Sequence, residues 1–106
     1  MRRHKYNARK MIVDGITFSS GKEARRYQEL RLLEAAGEIS DLQLQKVYEL
    51  IPKGIDERAA TYRADFVYRE AGKKIIEDVK GIKTPVYILK RKLMKFRFPD
   101  LIFRET

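Results

Sequence analysis

The stretch YRADFVYREAGKKIIEDVKG, running from Tyr62 to Gly81, decides how this chain folds. Two apolar-rich segments, residues 62–69 and 73–81, flank a short Glu70, Ala71, Gly72 turn, the pattern of two antiparallel strands joined by a tight connection. Side chains alternate along a strand, so Asp78 and Lys80 project to one side and Glu77 to the other. Ala64, Phe66 and Val67 surround Asp65 with apolar residues, and Ile75, Ile76 and Val79 do the same beside Asp78. A carboxylate next to an ammonium, opposite a third acidic group on the neighbouring strand, is poor core design. It is good design for a metal-dependent site.

Upstream, residues 11–18 read as a small hairpin with Asp14 and Gly15 as the turn pair. Ser19 or Ser20 offers a helix cap, and Glu23 stands three residues beyond Ser20 as in a capping box. The spacing of Ala24, Tyr27, Leu30 and Leu33, with Leu32 alongside, predicts a helix over residues 21–36, stopped by Gly37. The segment from Ile39 to Ile51 alternates only in part, and its second half is expected to be a strand. Residues 53–60 are a polar loop. Thr84 and Pro85 open a second helix, with Tyr87, Leu89, Leu93, Met94 and Phe96 as its apolar positions. Pro99 and Asp100 break it, and residues 101–103 form a short closing strand. The order is helix, three strands, helix, strand, after a small hairpin: an α/β or α+β sheet with helices packed on it.

At 106 residues the chain is one domain with a modest core, its 43% hydrophobic content is ordinary for a globular protein, and residues 1–10 form a flexible basic arm ahead of the folded unit at 11–106. No cysteine is present, which excludes disulfides, thiolate metal sites and cysteine nucleophiles. No apolar run approaches the roughly 20 residues of a membrane helix, and the amino terminus lacks the apolar segment of a secretory signal, so a cytoplasmic protein without a membrane partner is expected. With 24 Lys and Arg against 15 Asp and Glu, the formal charge is +9, and a polyanionic partner, most often nucleic acid, follows. His4, the lone histidine, sits in the basic arm, which disfavours histidine-driven chemistry.

A hard divalent cation takes one or two carboxylates together with waters and phosphate oxygens. Asp65 and Asp78 present two such ligands to one point, the Val79 carbonyl offers another oxygen, and Lys80 stands where it can orient or deprotonate an attacking water. The competing structural reading is a solvated outer face, whose cross-strand charge pairs are worth under about 1 kcal/mol each. Asp56 and Glu57 read as solvated loop charges, and Glu77 as a structural or ion-paired residue.

An acidic residue in an early helix, then Ala64, Asp65, Phe66 on one strand, then Glu77 to Gly81 on the next, resembles the PD-(D/E)xK nuclease superfamily. Within it the chain is similar to a family of small phage and prophage proteins, through Lys5, Tyr6, Asn7, the stretch from Asp14 to Ser20, Glu23 with Ala24, and residues 37–40. The likeness spans nearly the whole chain, although Ala64 replaces the proline that names the motif. It implies a restriction-endonuclease-like core of helix, three-stranded antiparallel meander, helix and strand. It also implies Asp65, Asp78 and Lys80 as catalytic residues, Glu23 as a further carboxylate of the metal site, and Gln45 as a second-shell neighbour. Mg²⁺ is the implied cofactor, with Mn²⁺ as its substitute.

The implied activity is a metal-dependent DNA endonuclease, structure-selective for branched or junction DNA and resembling a Holliday junction resolvase, phage- or prophage-encoded and acting in recombination, replication or processing. A homodimer follows from the resemblance alone. Lys83 just before the second helix, Lys90, Arg91 and Lys92 on it, and Arg2, Arg3, Lys5, Arg9 and Lys10 in the arm, are the expected DNA contacts. Tyr6 and Tyr87 are candidates for stacking on an unpaired base, with a buried role more natural for Tyr87. The alternatives are a non-catalytic nucleic-acid-binding accessory protein of the same fold and a nuclease subunit that needs a partner for activity.

Overall fold

A computed structural model describes residues 9–106. A two-stranded hairpin, β1 (Met11–Val13) and β2 (Ile16–Phe18), precedes α1 (Gly21–Ala35), followed by β3 (Ser40–Ile51), β4 (Ala60–Glu70), β5 (Lys73–Asp78), α2 (Pro85–Arg97) and β6 (Ile102–Glu105). The four-stranded sheet has the order β3-β4-β5-β6. Its first three strands form an antiparallel meander, and β6 returns parallel to β5 after the α2 crossover. This is the helix, three strands, helix, strand order that the sequence predicts. Arg9 and Lys10 are exposed and outside any helix or strand. The rest of the expected basic arm, including Arg2, Arg3, Lys5 and Tyr6, lies outside the described residues.

Local chemistry explains the element ends. Asp14 and Gly15 both adopt positive φ, 53° and 75°, as the tightest hairpin turns demand. Ser20 caps α1, its hydroxyl accepting from the Glu23 N–H at 3.1 Å. At the other end the Glu38 N–H reaches back to the Leu33 carbonyl at 2.9 Å across Gly37, whose φ of 79° suits a residue with no Cβ. Thr84 caps α2 through the Tyr87 N–H at 3.1 Å, with Pro85 in the first turn. Ser20→Ala is expected to cost about 1 kcal/mol, read as a lower urea midpoint at unchanged slope.

The helices cover opposite faces of the sheet and define two cores. Phe18, Ala24, Tyr27, Leu30, Ile39, Phe66, Tyr68 and Ile75 pack around α1. Tyr48, Leu50, Tyr62, Ala64, Val67, Ile76, Tyr87 and Met94 pack around α2. Along β4, Tyr62 and Ala64 therefore belong to the α2 side while Phe66 and Tyr68 belong to the α1 side, so the alternation changes side at Asp65. Along β3, Leu44 packs with α1 and Tyr48 with α2, and Gln45 between them is left-handed at φ 56°. Register pairs Leu44 with Phe66 and Lys46 with Ala64, which puts Gln45 and Asp65 in the same row. The register is unbroken across this row, yet beyond it the side chains of both strands join the other core.

Three expectations need correction. The whole of Ser40–Ile51 is strand, not just its second half. Asp41 and Gln45 are left-handed and the pairing is irregular between Ser40 and Gln43, but Leu42 and Leu44 still alternate with exposed polar residues as a strand requires. In α2, Tyr87 and Met94 are the buried positions, whereas Leu89 is 58% exposed and Phe96 84% exposed. The closing strand lies slightly later than expected, bringing Glu105 into its parallel ladder.

Candidate functional site

The row that turns the sheet also assembles the acidic residues. The β4–β5 ladder runs to Phe66 opposite Glu77, and the next two residues facing each other are Asp65 and Asp78. Their carboxylates continue the ladder. The Asp65 N–H donates to Asp78 Oδ1 at 3.0 Å, and the Val79 N–H donates to Asp65 Oδ2 at 2.8 Å. The Tyr62 hydroxyl holds the remaining Asp78 oxygen. Beyond this point β5 continues along the sheet through β6, with the Lys80 N–H on the Thr106 carbonyl and the Thr106 N–H on the Asp78 carbonyl, both at 3.0 Å. Lys80 is thereby fixed two residues past Asp78.

Glu23 reaches the same place from α1. It is buried, its Oε1 accepts from the Ser19 hydroxyl at 2.6 Å, and its Oε2 accepts from the Gln45 amide at 3.2 Å. Half of the capping box is therefore present, through Ser20 and the Glu23 N–H, while the Glu23 carboxylate points to Gln45. The Glu23 backbone serves the cap while its carboxylate serves the site. Gln45 thus joins the helix carboxylate to the row of Asp65.

Electrostatics follow from this packing. Burial raises the Asp65 carboxyl above the ordinary aspartate range; the Val79 N–H opposes that, Glu23 adds to it, and Lys80 and the Gln45 amide offset it. Burial likewise raises Asp78, against the Asp65 N–H and Lys80. Lys80 acts on both aspartates and lies 4.4 Å from the centre of the Tyr87 ring. Negative charge is concentrated here at a cost in desolvation.

Glu77, on the opposite side of β5, does something different. It is fully buried and receives Arg26 at 2.5 and 2.9 Å, the Tyr68 hydroxyl at 2.5 Å and the Thr106 hydroxyl at 3.2 Å. Burial alone would raise it; Arg26 and Tyr68 outweigh that and hold it below the usual glutamate range. Its charge is fully answered by the protein, unlike those of Asp65 and Asp78.

Of the four basic residues expected to meet DNA from the second helix and the turn before it, two are tied to Glu105. Lys83 lies 3.2 Å and Arg91 2.8 Å from that carboxylate, which also accepts from the Tyr87 hydroxyl at 2.5 Å. These partners overcome burial and draw Glu105 down to about 2. Sequence reading misses this role for Glu105 because it depends on the parallel register of a four-residue strand. Tyr87 is buried, so its ring is core and not a stacking platform. Lys90 lines a shallow cleft of about 230 Å³ with Tyr62, Arg63, Lys80 and Thr84, while Lys92 is exposed.

Among the described residues no three His, Cys, Asp or Glu side chains stand as a finished metal cage, and no helix is long and apolar enough to cross a membrane. The fold and site define a mixed α/β domain with a buried Asp78 beside a half-buried Asp65 on adjacent strands. The chain belongs to the family described as a protein of unknown function, DUF1064, whose model matches residues 3–105. No curated protein and no solved structure gives a significant match.

Proposed function

We propose that the chain is a divalent-metal-dependent DNA endonuclease of the PD-(D/E)xK type, hydrolysing phosphodiester bonds with a preference for branched or junction DNA. The pairing of the two carboxylates, Asp78 accepting from the Asp65 N–H and Asp65 from the Val79 N–H, with Lys80 acting on both, carries this reading. The donor chemistry fits a hard cation: two neighbouring carboxylates raised by burial, with Glu23 acting on Asp65 from α1 and Lys80 acting on both aspartates. Asp65, Asp78, Glu23 and the Val79 carbonyl would hold Mg²⁺ or Mn²⁺. The bound ion would supply a polarised phosphoryl oxygen and a water of lowered pKa.

The chain's own residues do the rest. The Asp65 N–H and the Tyr62 hydroxyl fix Asp78, and the Val79 N–H fixes Asp65, so neither carboxylate must be ordered when substrate arrives. Gln45 and Ser19 orient Glu23. The Lys80 ammonium stands beside the aspartates to meet charge developing on the phosphate. Lys90 and Lys92 extend the positive surface along α2. Recognition through backbone and shape agrees with the absence of any base-reading motif.

The test is a panel of duplex, single-stranded, flap and four-way-junction DNA incubated with Mg²⁺ or Mn²⁺. Cleavage is expected with either ion, strongest on branched DNA, and abolished by EDTA. Wild-type protein that binds these DNAs and cuts none of them with either ion would overturn the catalytic reading. One observation favours a binding-only protein of the same fold: Asp78 is fully buried and both its oxygens already have protein partners. The same panel separates the two.

A further inference from the structure

A second cleft opens on the α1 side of β5. It has a volume of about 330 Å³ and is lined by Lys22, Arg25, Arg26, Glu29, Val79 and Thr106. We infer that this cleft seats a backbone phosphate of the DNA strand crossing the carboxylate site, with Lys22 and Arg25 as its contacts. The inference rests on the nuclease reading and adds to it a wall of the DNA channel on α1, opposite the basic surface of α2.

Charge and position both point there. Three cations line the cleft against one acid, Glu29, which pairs with Arg26 at 3.3 Å. Arg26 is further committed to Glu77. Lys22 and Arg25 are exposed, and among the described residues neither has a carboxylate within ion-pair distance. Residues 1–8 contain no Asp or Glu that could answer them. Two amides of the first turn of α1 are already used, the Glu23 N–H on Ser20 Oγ and the Ala24 N–H on the Ser20 carbonyl, and the attraction assigned to the cleft is that of the side chains. Val79 ties the cleft to the site, because its N–H holds Asp65 and its chain neighbours are Asp78 and Lys80. A strand lying over Val79 would have the α1 cleft on one side and the cleft of Lys80 and Lys90 on the other.

Gly21 shapes this arrangement. A Cβ there would stand 3.1 Å from an Arg25 guanidinium nitrogen and 3.1 Å from the Met11 sulfur. Glycine lets Arg25 fold back over the start of its own helix.

The experiment measures binding of fluorescein-labelled duplex and four-way-junction DNA in EDTA, where no cleavage occurs, across about 50 to 200 mM salt. The Lys22→Ala, Arg25→Ala double variant is expected to bind at least about tenfold more weakly. The slope of log affinity against log salt should fall by about 1 to 2, as two lost phosphate contacts require. Gly21→Ala, which displaces Arg25 without removing charge, should weaken binding less. Unchanged melting temperature of the double variant guards against misfolding, since both side chains are exposed. A double variant that binds with wild-type affinity and slope overturns the inference and leaves the nuclease reading standing. Weakened binding by the double variant in a protein that never cuts DNA supports the cleft and defeats the nuclease reading.

Discussion

Asp78→Asn is expected to lower phosphodiester cleavage by about a thousandfold or more while leaving the metal-free protein as stable as the wild type, or about 1 kcal/mol more stable. Both halves follow from one placement. Asp78 is fully buried, and burial raises its carboxyl against the opposing effects of the Asp65 N–H and Lys80. A carboxyl raised in the folded state is one whose ionised form opposes folding at neutral pH. Asparagine keeps the shape and removes the charge: its carbonyl accepts from the Asp65 N–H and its amide donates to the Tyr62 hydroxyl oxygen. The sign with pH is defined. Wild-type protein gains stability relative to Asp78→Asn as pH falls through the raised folded pKa, so the gap between them closes in mild acid. Thermal melts in EDTA at neutral and acid pH measure this, and cleavage assays measure the activity. A variant destabilised by more than about 2 kcal/mol would mark Asp78 as a structural acceptor, in the way Glu77 is.

How much of this is legible in the sequence depends on the range of the interaction involved. The Asp14-Gly15 turn is legible because only a few residue types tolerate two consecutive positive φ values, 53° and 75° here. The Ser20 cap and Gly37 stop are legible for similar local reasons. The demotion of Glu77 follows from strand period alone, and its burial against Arg26 is the matching structural fact. Left-handed Gln45 has no such signal. Glutamine has no preference for that conformation, and what holds it is the joint packing of Leu44 with α1 and Tyr48 with α2. The basic surface was also only partly legible. Counting charge on and before α2 does not reveal that Lys83 and Arg91 face Glu105, nor that Lys22 and Arg25 on α1 have no acidic partner among the described residues. Those facts depend on how distant segments are brought side by side.

Arg26→Met is expected to destabilise the protein by about 3–5 kcal/mol, the largest loss of stability anticipated for any single substitution here. Arg26 forks onto Glu77 through Nε and Nη2, bridging positions 51 apart in sequence and fastening α1 to β5. Its side chain is 22% exposed, whereas that of Glu77 is 0% exposed. The asymmetry decides which partner matters more. Without Glu77, the arginine can turn toward solvent; without Arg26, the glutamate is left buried with only the Tyr68 and Thr106 hydroxyls. Adding Glu77→Gln to Arg26→Met removes that stranded charge and should recover at least about half of the loss, since deleting both charges of a buried pair is far milder than deleting one. The pH dependence gives an independent check. Glu77 lies below the usual glutamate range in the folded protein, so its contribution is complete at neutral pH and fades as pH falls through that depressed value. In Arg26→Met the glutamate protonates more readily, and the deficit relative to wild type should shrink in acid. Urea unfolding of wild type, single and double variants at neutral and acid pH measures all three terms. A deficit that stays constant with pH, or a double variant no better than Arg26→Met, would mean that Arg26 holds α1 to the sheet by the packing of its aliphatic stem and not by its charge.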